Sequence, residues 1–123
     1  ILAMPGFDTS LAEGVMLLTL FSADAEDERT QNFVKTYQDL YGETPNQFAA
    51  DGYDTVYVIY EALQAAGCSS DMSAEEICEA LIAVMPTISV DGLTGQGMTW
   101  SASGEVSKDL MAVVIKDGVY VTP

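Results

Sequence analysis

Acidic side chains are the most frequent candidates for chemistry in this sequence, and a cluster of them lies between positions 24 and 28. Asp24, Glu26, Asp27 and Glu28 offer the oxygen ligands that calcium prefers. A calcium loop alternates its ligands, carries a central glycine and ends in a glutamate, and the cluster lacks this pattern. Acids also stabilise the start of a helix, where the helix dipole is positive. We therefore interpret the cluster as a solvated helix start.

A glycine-rich stretch, GLTGQG at positions 92–97, is a second candidate, because glycine loops can cradle phosphate groups. Dinucleotide-binding loops have the order G-x-G-x-x-G and open directly into a helix. The glycine order here is different, and no helix is predicted to follow. The sequence favours turn glycines between short strands.

Nucleophilic catalysis has little support in the composition. The chain has 123 residues and no histidine, so it lacks the commonest general base and the commonest metal ligand. Neither a Ser-His-Asp nor a Cys-His arrangement can be built from it. Carboxylate-only or Ser-Lys chemistry is compatible with the composition, although no residue spacing supports it. We expect no enzymatic activity, no metal and no cofactor.

The net charge disfavours binding to nucleic acids and to membrane surfaces. Nineteen acids against four bases give a formal charge of -15, which repels nucleic-acid phosphates and anionic lipid headgroups. The hydrophobic fraction of 49% is high, yet no apolar stretch approaches the roughly 20 residues that span a bilayer. We expect one globular domain without a nucleic-acid partner.

Two cysteines, Cys68 and Cys78, lie ten positions apart in a predicted loop and a predicted helix. This placement allows a disulfide that closes a small loop. Two separate, partly buried thiols are the alternative, and a pair of cysteines alone is weak support for an oxidising compartment. The chain also begins at Ile1, without the basic region and length of a signal peptide, so we interpret it as a piece of a longer protein.

The hydrophobic pattern predicts one buried strand followed by three helices. Residues 14–21, GVMLLTLF, are nearly continuously apolar, which is typical of a central strand buried on both faces of a parallel sheet. The first helix follows the acidic cluster and ends at Gly42. The second runs from about Gln47 to Ala66, and the third begins with the capping box at Ser73. The apolar residues of this third helix end before Pro86, which is predicted to stop it.

Beyond Pro86 the pattern changes to short strands separated by glycines. Asp117-Gly118 is typical of a tight hairpin turn between a strand at residues 110–115 and another at residues 119–121. The chain therefore ends in a predicted β-hairpin.

The second helix carries the aromatic residues of the stretch NQFAADGYDTVYVIYEAL. Asp51, Asp54, Thr55 and Glu61 fall along one polar stripe, and the rest of the circumference is expected to be buried. This interpretation places three tyrosines in the core, namely Tyr53, Tyr57 and Tyr60. Phe48 is different, because it lies in the first turn, where the N-terminus of a helix opens toward a cleft in α/β proteins.

Three stretches in this order resemble a known family: LAEGVMLLTLF, FVKTYQDLYGETPNQFAADGYDTVYVIYEALQAAG and VDGLTGQGMTWSASGEVSKDLMAVVIKDGVYV. The chain resembles the C-terminal part of the branched-chain amino acid (Leu/Ile/Val) binding proteins, which are type I periplasmic binding proteins of ABC importers. The resemblance covers nearly all of residues 11–121. Each motif is loose by itself, but their common order and spacing make chance agreement improbable.

The resemblance implies an α/β fold, an incomplete type I periplasmic-binding-protein (Rossmann-like) fold with three main helices, short strands and a C-terminal hairpin. It assigns residues 1–20 and 109–123 to one lobe and residues 21–108 to the other. A hinge strand at residues 21–25 and a second hinge at Lys108-Asp109 would connect the lobes. A sheet that lacks most of its strands would need cover, so self-association or a retained N-terminal fragment is expected.

The resemblance also implies the ligand-binding residues. The position of Phe48 is often aromatic in the family and lines the pocket, and Gln47 and Asp51 are weaker candidates beside it. The expected partners are a small amino acid, bound by the full-length protein, and an ABC permease. The expected location is extracytoplasmic, either periplasmic or as a cell-surface lipoprotein.

Two rival functions remain open from the sequence. The same fold could serve as the ligand-sensing domain of a signalling receptor. A small carboxylate-dependent hydrolase would need paired acids in one pocket with separated pKa values. The acids of this chain are predicted mainly at helix starts and on exposed stripes, which disfavours the hydrolase.

Overall fold

The structure, a computed structural model, describes residue 2 and residues 4–123 of the chain. Its elements are β1 (Met16–Thr19), α1 (Glu28–Tyr41), α2 (Gln47–Ala65), α3 (Ala74–Val84), β2 (Thr99–Trp100), β3 (Val106–Ser107), β4 (Met111–Lys116) and β5 (Val119–Val121). Short 3-10 turns cover Thr9–Ala12 and Met85–Thr87. Three helices, short strands and a C-terminal hairpin were predicted, and all three features are confirmed.

The chain forms two compact units. The first unit comprises Ile1–Gln47 and Leu110–Pro123, and the second unit comprises Phe48–Asp109. The lobe boundaries that the resemblance implies stay a prediction, and their first range begins at residue 1, which lies outside the described residues. Residues 21–25, the predicted hinge strand, form a turn closed by a hydrogen bond from the Ala25 amide to the Ser22 carbonyl.

The first unit contains an antiparallel sheet of three strands in the order β1-β4-β5. The hairpin between β4 and β5 turns at Asp117 and Gly118, which have φ angles of 52° and 77°. Both angles are left-handed, as the tight turn predicted from Asp-Gly requires. The Glu13 carboxylate accepts a hydrogen bond of 2.9 Å from the Asp117 amide and so holds the turn.

The prediction for the first strand is wrong in two respects. β1 pairs with β4 in antiparallel register, with Met16 opposite Val114 and Thr19 opposite Met111, and it lies at the edge of the sheet. Met16, Leu17 and Leu18 are exposed. A continuous apolar run indicates that both faces of a strand need to be covered, but it does not show which elements cover them. In the described residues, only β4 lies beside β1.

Helix α1 begins and ends where the sequence predicts. Asp27 caps its first turn by accepting a hydrogen bond of 2.9 Å from the Thr30 amide, and Gly42 ends it with a φ of 74°. Asp27 and Glu28 of the acidic cluster therefore form a helix start, as predicted, whereas Asp24 lies in the turn before the helix. Val34 is buried, whereas Leu40 and Tyr41 near the end of the helix are exposed.

In the second unit, α3 has the predicted capping box. The Ser73 hydroxyl accepts a hydrogen bond from the Glu76 amide, and the Glu76 carboxylate accepts one from the Ser73 amide. Cys68 is half-buried and Cys78 is exposed, and both are free thiols in the structure. No helix among the described residues has both the length and the apolar character of a membrane span.

The predicted buried face of α2 is wrong, and so is the place of Asp54 on the polar stripe, although Thr55 and Glu61 of that stripe are exposed as predicted. Ala50, Asp54 and Ala62 are its buried residues, four or eight positions apart. The tyrosines assigned to the core, Tyr53, Tyr57 and Tyr60, are exposed, together with Val56 and Ile59. Small residues on either side of Asp54 allow the close approach of another segment there. The large apolar side chains instead face outward from the described part of the second unit.

A carboxylate clasp joins the 21–25 turn to the end of the chain within the first unit. Asp24 accepts hydrogen bonds from the Thr122 amide at 2.8 Å and the Thr122 hydroxyl at 3.0 Å, and a short one from the Ser22 hydroxyl. Burial by itself raises the pKa of the Asp24 carboxyl, but these bonds outweigh it and lower the pKa below its ordinary 3.8. The clasp therefore requires the ionised carboxylate.

We expect the Asp24 clasp to open in acid. Because the pKa is lowered in the folded state, its contribution to stability is present above pH 3.8 and is lost as the pH falls below that value. An NMR pH titration should show the Thr122 amide proton shifting below pH 3.8. Asp24→Asn should lower the free energy of unfolding by about 1 kcal/mol at pH 6, with a smaller deficit at pH 3.

The control for this titration is Asp71→Asn, which changes an exposed carboxylate in the turn before α3. It should leave the Thr122 amide shift unchanged. A Thr122 amide that shifts identically in the Asp24→Asn variant would contradict the assignment of the titration to Asp24.

Candidate functional site

The predicted ligand-binding residues all lie in the first turns of α2. Phe48 has 81% of its surface exposed, although it is a large apolar side chain. Asp51 follows three positions later and is half-buried. The exposed ring of Phe48 is available for contact with a bound molecule, as the sequence predicts, while its role in binding stays a prediction.

Gln47 belongs to the first unit and is held by the end of β1. The Thr19 hydroxyl lies 2.7 Å from the Gln47 side-chain oxygen and donates a hydrogen bond to it. The same hydroxyl lies 3.3 Å from the Phe21 amide, from which it accepts. The Phe21 carbonyl oxygen lies 3.1 Å from the same hydroxyl and is a second acceptor for its single proton. The Gln47 oxygen is the nearer of the two acceptors, so Thr19 helps to orient the Gln47 amide.

Asp54 is the residue that sequence reasoning missed. It was assigned to an exposed polar stripe, but only 4% of its surface is exposed. Its carboxylate accepts hydrogen bonds from the Leu93 amide at 2.8 Å, the Thr94 amide at 2.8 Å and the Thr94 hydroxyl at 2.7 Å. A buried carboxylate needs several donors to remain stable, and these three supply them.

The glycine-rich stretch is the other half of this arrangement. A Cβ atom at Gly92 would lie 2.5 Å from the nearer Asp54 carboxylate oxygen, so only glycine fits there. The stretch is a turn, as predicted, and its amides do bind an anionic group. That group is the protein's own Asp54. The spacing of Ala50, Asp54 and Ala62 is the sequence signal that could have found it.

Lys108 extends this polar network to Asp51. Its ammonium nitrogen lies 2.5 Å from the Thr94 hydroxyl oxygen and 3.5 Å from the nearer Asp51 carboxylate oxygen. Thr94 is 1% exposed, and the Lys108 side chain is 16% exposed. Asp54, Thr94, Lys108 and Asp51 thus form a continuous chain of polar contacts within the second unit, which we call the Asp54–Asp51 relay.

The geometry gives little support to a metal site or to a hydrolase active site. Among residue 2 and residues 4–123, no three Asp, Glu or Cys side chains come together as a metal site. Asp24 and Asp27 of the acidic cluster accept hydrogen bonds from Thr122 and Thr30 instead. The relay holds its two carboxylates on amides, a hydroxyl and an ammonium group, so it resembles a structural network more than an acid and base pair.

The family model for the periplasmic binding proteins matches residues 3–119 of this chain. The chain therefore belongs to the periplasmic binding protein family, which comprises the substrate-binding proteins of ABC transporters. No curated protein sequence matches the chain.

Solved structures agree with this assignment. An ABC transporter substrate-binding protein from Desulfitobacterium hafniense in complex with Leu is 26% identical, with a TM-score of 0.73, over 91% of this chain and 32% of that one. A branched-chain amino acid transporter substrate-binding protein from Streptococcus pneumoniae in complex with isoleucine is 25% identical, with a TM-score of 0.71, over 91% and 30%. A leucine binding protein from Thermotoga maritima is 25% identical, with a TM-score of 0.67, over 89% and 30%.

This chain spans about a third of the length of the solved structures it matches. The expected fold class, a partial type I periplasmic-binding-protein fold of the α/β class, is confirmed. The resemblance to the C-terminal part of the branched-chain amino acid binding proteins is confirmed as well.

The cradle around Asp54 leads to a stability prediction. Gly92→Ala should lower the free energy of unfolding by about 2–3 kcal/mol, because the new methyl group displaces a buried carboxylate from its donors. Urea unfolding of the second unit can be followed by fluorescence, since Trp100 is the single tryptophan of the chain.

Gly52→Ala is the matched control, because a Cβ atom at that α2 position meets no atom within 4 Å. It should raise the free energy of unfolding by about 0.5–1 kcal/mol, as alanine is the better helix former. Equal effects of the two substitutions would contradict the described fit of Gly92 against Asp54.

Proposed function

We propose that this chain is the C-terminal part of an extracytoplasmic solute-binding protein that delivers branched-chain or related amino acids to an ABC importer. The observation that carries the proposal is the exposed ring of Phe48 in the first turn of α2. Two similar proteins whose structures contain leucine or isoleucine support the choice of ligand class.

Phe48 suits an aliphatic ligand side chain for a physical reason. An exposed phenylalanine ring gains about 25 cal/mol for each Å² of apolar surface that a ligand removes from water. Gln47 and Asp51 offer polar groups in the same turns of the helix, and both already have partners, namely Thr19 and Lys108. In this proposal Phe48 supplies affinity, and the two polar neighbours contribute secondary contacts.

The length of the chain limits what it can do alone. Amino acid sites are concave and surround most of their ligand, whereas the first turns of one helix form a single wall. The exposed apolar residues of β1 and α2 support the same proposal, since they need cover that the described residues do not provide. We propose that a further N-terminal segment, or a second copy of the chain, covers them.

The proposed mechanism is noncatalytic. The ligand binds between the two lobes of the full-length protein and favours the closed state, which the permease recognises. The 21–25 turn and Lys108-Asp109 are the proposed hinges. A lipid anchor on the cell surface is one form of the proposed extracytoplasmic location, and free diffusion in a periplasm is the other.

The role of Phe48 is tested by Phe48→Ala in the full-length protein. Calorimetry with L-leucine should show a loss of about 1–3 kcal/mol in binding free energy, because the apolar contact is removed. Tyr60→Ala is the matched control, since Tyr60 is also an exposed aromatic residue of α2 but lies farther along the helix. It should leave the affinity for L-leucine unchanged.

Unchanged affinity in the Phe48→Ala variant, combined with a lower free energy of unfolding, would return Phe48 to a packing role and remove the main support for this proposal. A loss of affinity with an unchanged melting temperature would support it.

The incomplete site predicts a difference between the chain and the full-length protein. The 123-residue chain should bind L-leucine at least about a hundredfold more weakly than the full-length protein, which is about 2.7 kcal/mol. Calorimetry on both proteins measures this difference. Equal affinities would show that the chain holds a complete site and would contradict the proposal that one wall is insufficient.

A further inference from the structure

Lys108 is the only lysine or arginine between residues 48 and 109, so it is the only formal positive side-chain charge of the second unit. It does not project into solvent as most lysines do, because its side chain is only 16% exposed. A strongly hydrated ammonium group is costly to bury without partners. The role of the Lys108 charge can therefore be inferred from the side chains that the ammonium group contacts.

One contact of Lys108 serves the buried carboxylate. The Thr94 hydroxyl donates its proton to Asp54 at 2.7 Å, so it can only accept from the Lys108 ammonium group at 2.5 Å. An ammonium group that donates to this oxygen polarises the hydroxyl and strengthens its bond to Asp54. Lys108 thus stabilises the charge of Asp54 without touching it.

The second contact serves Asp51. The distance of 3.5 Å between the Lys108 nitrogen and the Asp51 oxygen makes an ion pair, and the Asp51 side chain is 35% exposed. An exposed and unpaired carboxylate at this position of α2 would attract any cation that approaches Phe48. The Lys108 ammonium group balances the charge of Asp51, so the relay of two carboxylates and one ammonium group keeps one negative charge, on the buried Asp54.

We propose that Lys108 is a positioning residue that holds Asp51 to the relay and neutralises it, so that the Phe48 region favours amino acids with uncharged side chains over cationic ones. The inference rests on the proposed function, since it assigns the ligand class of that same site. It adds a residue from the far end of the second unit, 60 positions after Phe48 in the sequence.

The test of specificity uses the full-length protein with L-leucine and L-arginine as probes. Lys108→Gln keeps a polar side chain at this position but removes the positive charge, which leaves Asp51 unbalanced. The affinity for L-arginine relative to L-leucine should rise about tenfold, or about 1.4 kcal/mol. In the double variant Asp51→Asn, Lys108→Gln the ratio should return to its original value.

Lys35→Gln is the control for net charge, because Lys35 forms an exposed ion pair with Asp39 on α1. This variant changes the total charge equally and should leave the ratio of affinities unchanged. A ratio that does not change in Lys108→Gln, or that changes equally in Lys35→Gln, would overturn the inference.

A second measurement separates this inference from the proposed function. A double-mutant cycle of Asp51→Asn and Lys108→Gln in the 123-residue chain, followed by Trp100 fluorescence during urea unfolding, measures the coupling directly. We expect at least a threefold coupling in the unfolding equilibrium constant. A cycle of Lys108→Gln with Glu61→Gln, an exposed acid about three turns farther along α2, should show none.

If neither probe binds to the full-length protein, the proposed function fails and the cycle decides the positioning role by itself. Coupling between Asp51 and Lys108 would then support that role, and an absence of coupling would overturn it.

Discussion

The second unit depends on one buried charge. Asp54 carries an ionised group into the interior, and the amides of Leu93 and Thr94 with the Thr94 hydroxyl replace the water it has lost. Breaking such an arrangement costs far more than a single hydrogen bond is worth, because the charge remains buried. The first unit uses a similar device on its surface, where Asp24 binds the amide and hydroxyl of Thr122. Each device joins segments that are distant in the sequence.

Signals that act over a few residues were predicted well. The ends of α1 and α3 depend on Asp27, Gly42 and Ser73, and the turn of the hairpin depends on the left-handed conformations of Asp117 and Gly118. These residues act through their own backbone and that of near neighbours, so the information is contained in a short stretch of sequence. The order of such stretches was also sufficient to identify the family.

The wrong predictions concern which segment packs against a given helix or strand. Apolar periodicity shows which side chains need cover, but the partner of a face is set by tertiary structure. β1 was therefore placed in the middle of a parallel sheet, and the α2 tyrosines in a core. Asp54 was missed because a carboxylate on a helix is usually exposed to solvent. Asp54 is buried only because hydrogen-bond donors about 40 positions away in the sequence contact it. The position of Phe48, in contrast, followed from its place in the first turn of a helix.

The outer edge of β1 has a consequence for handling the protein. It offers an apolar strand without the inward charges or prolines that keep sheet edges from pairing. At a formal charge of -15, long-range repulsion keeps separate molecules apart in dilute buffer. Added salt shortens the reach of that repulsion to about 10 Å at 0.1 M and leaves the apolar attraction intact. Colloidal behaviour will thus be governed by ionic strength, with low-salt solutions favouring dispersed molecules.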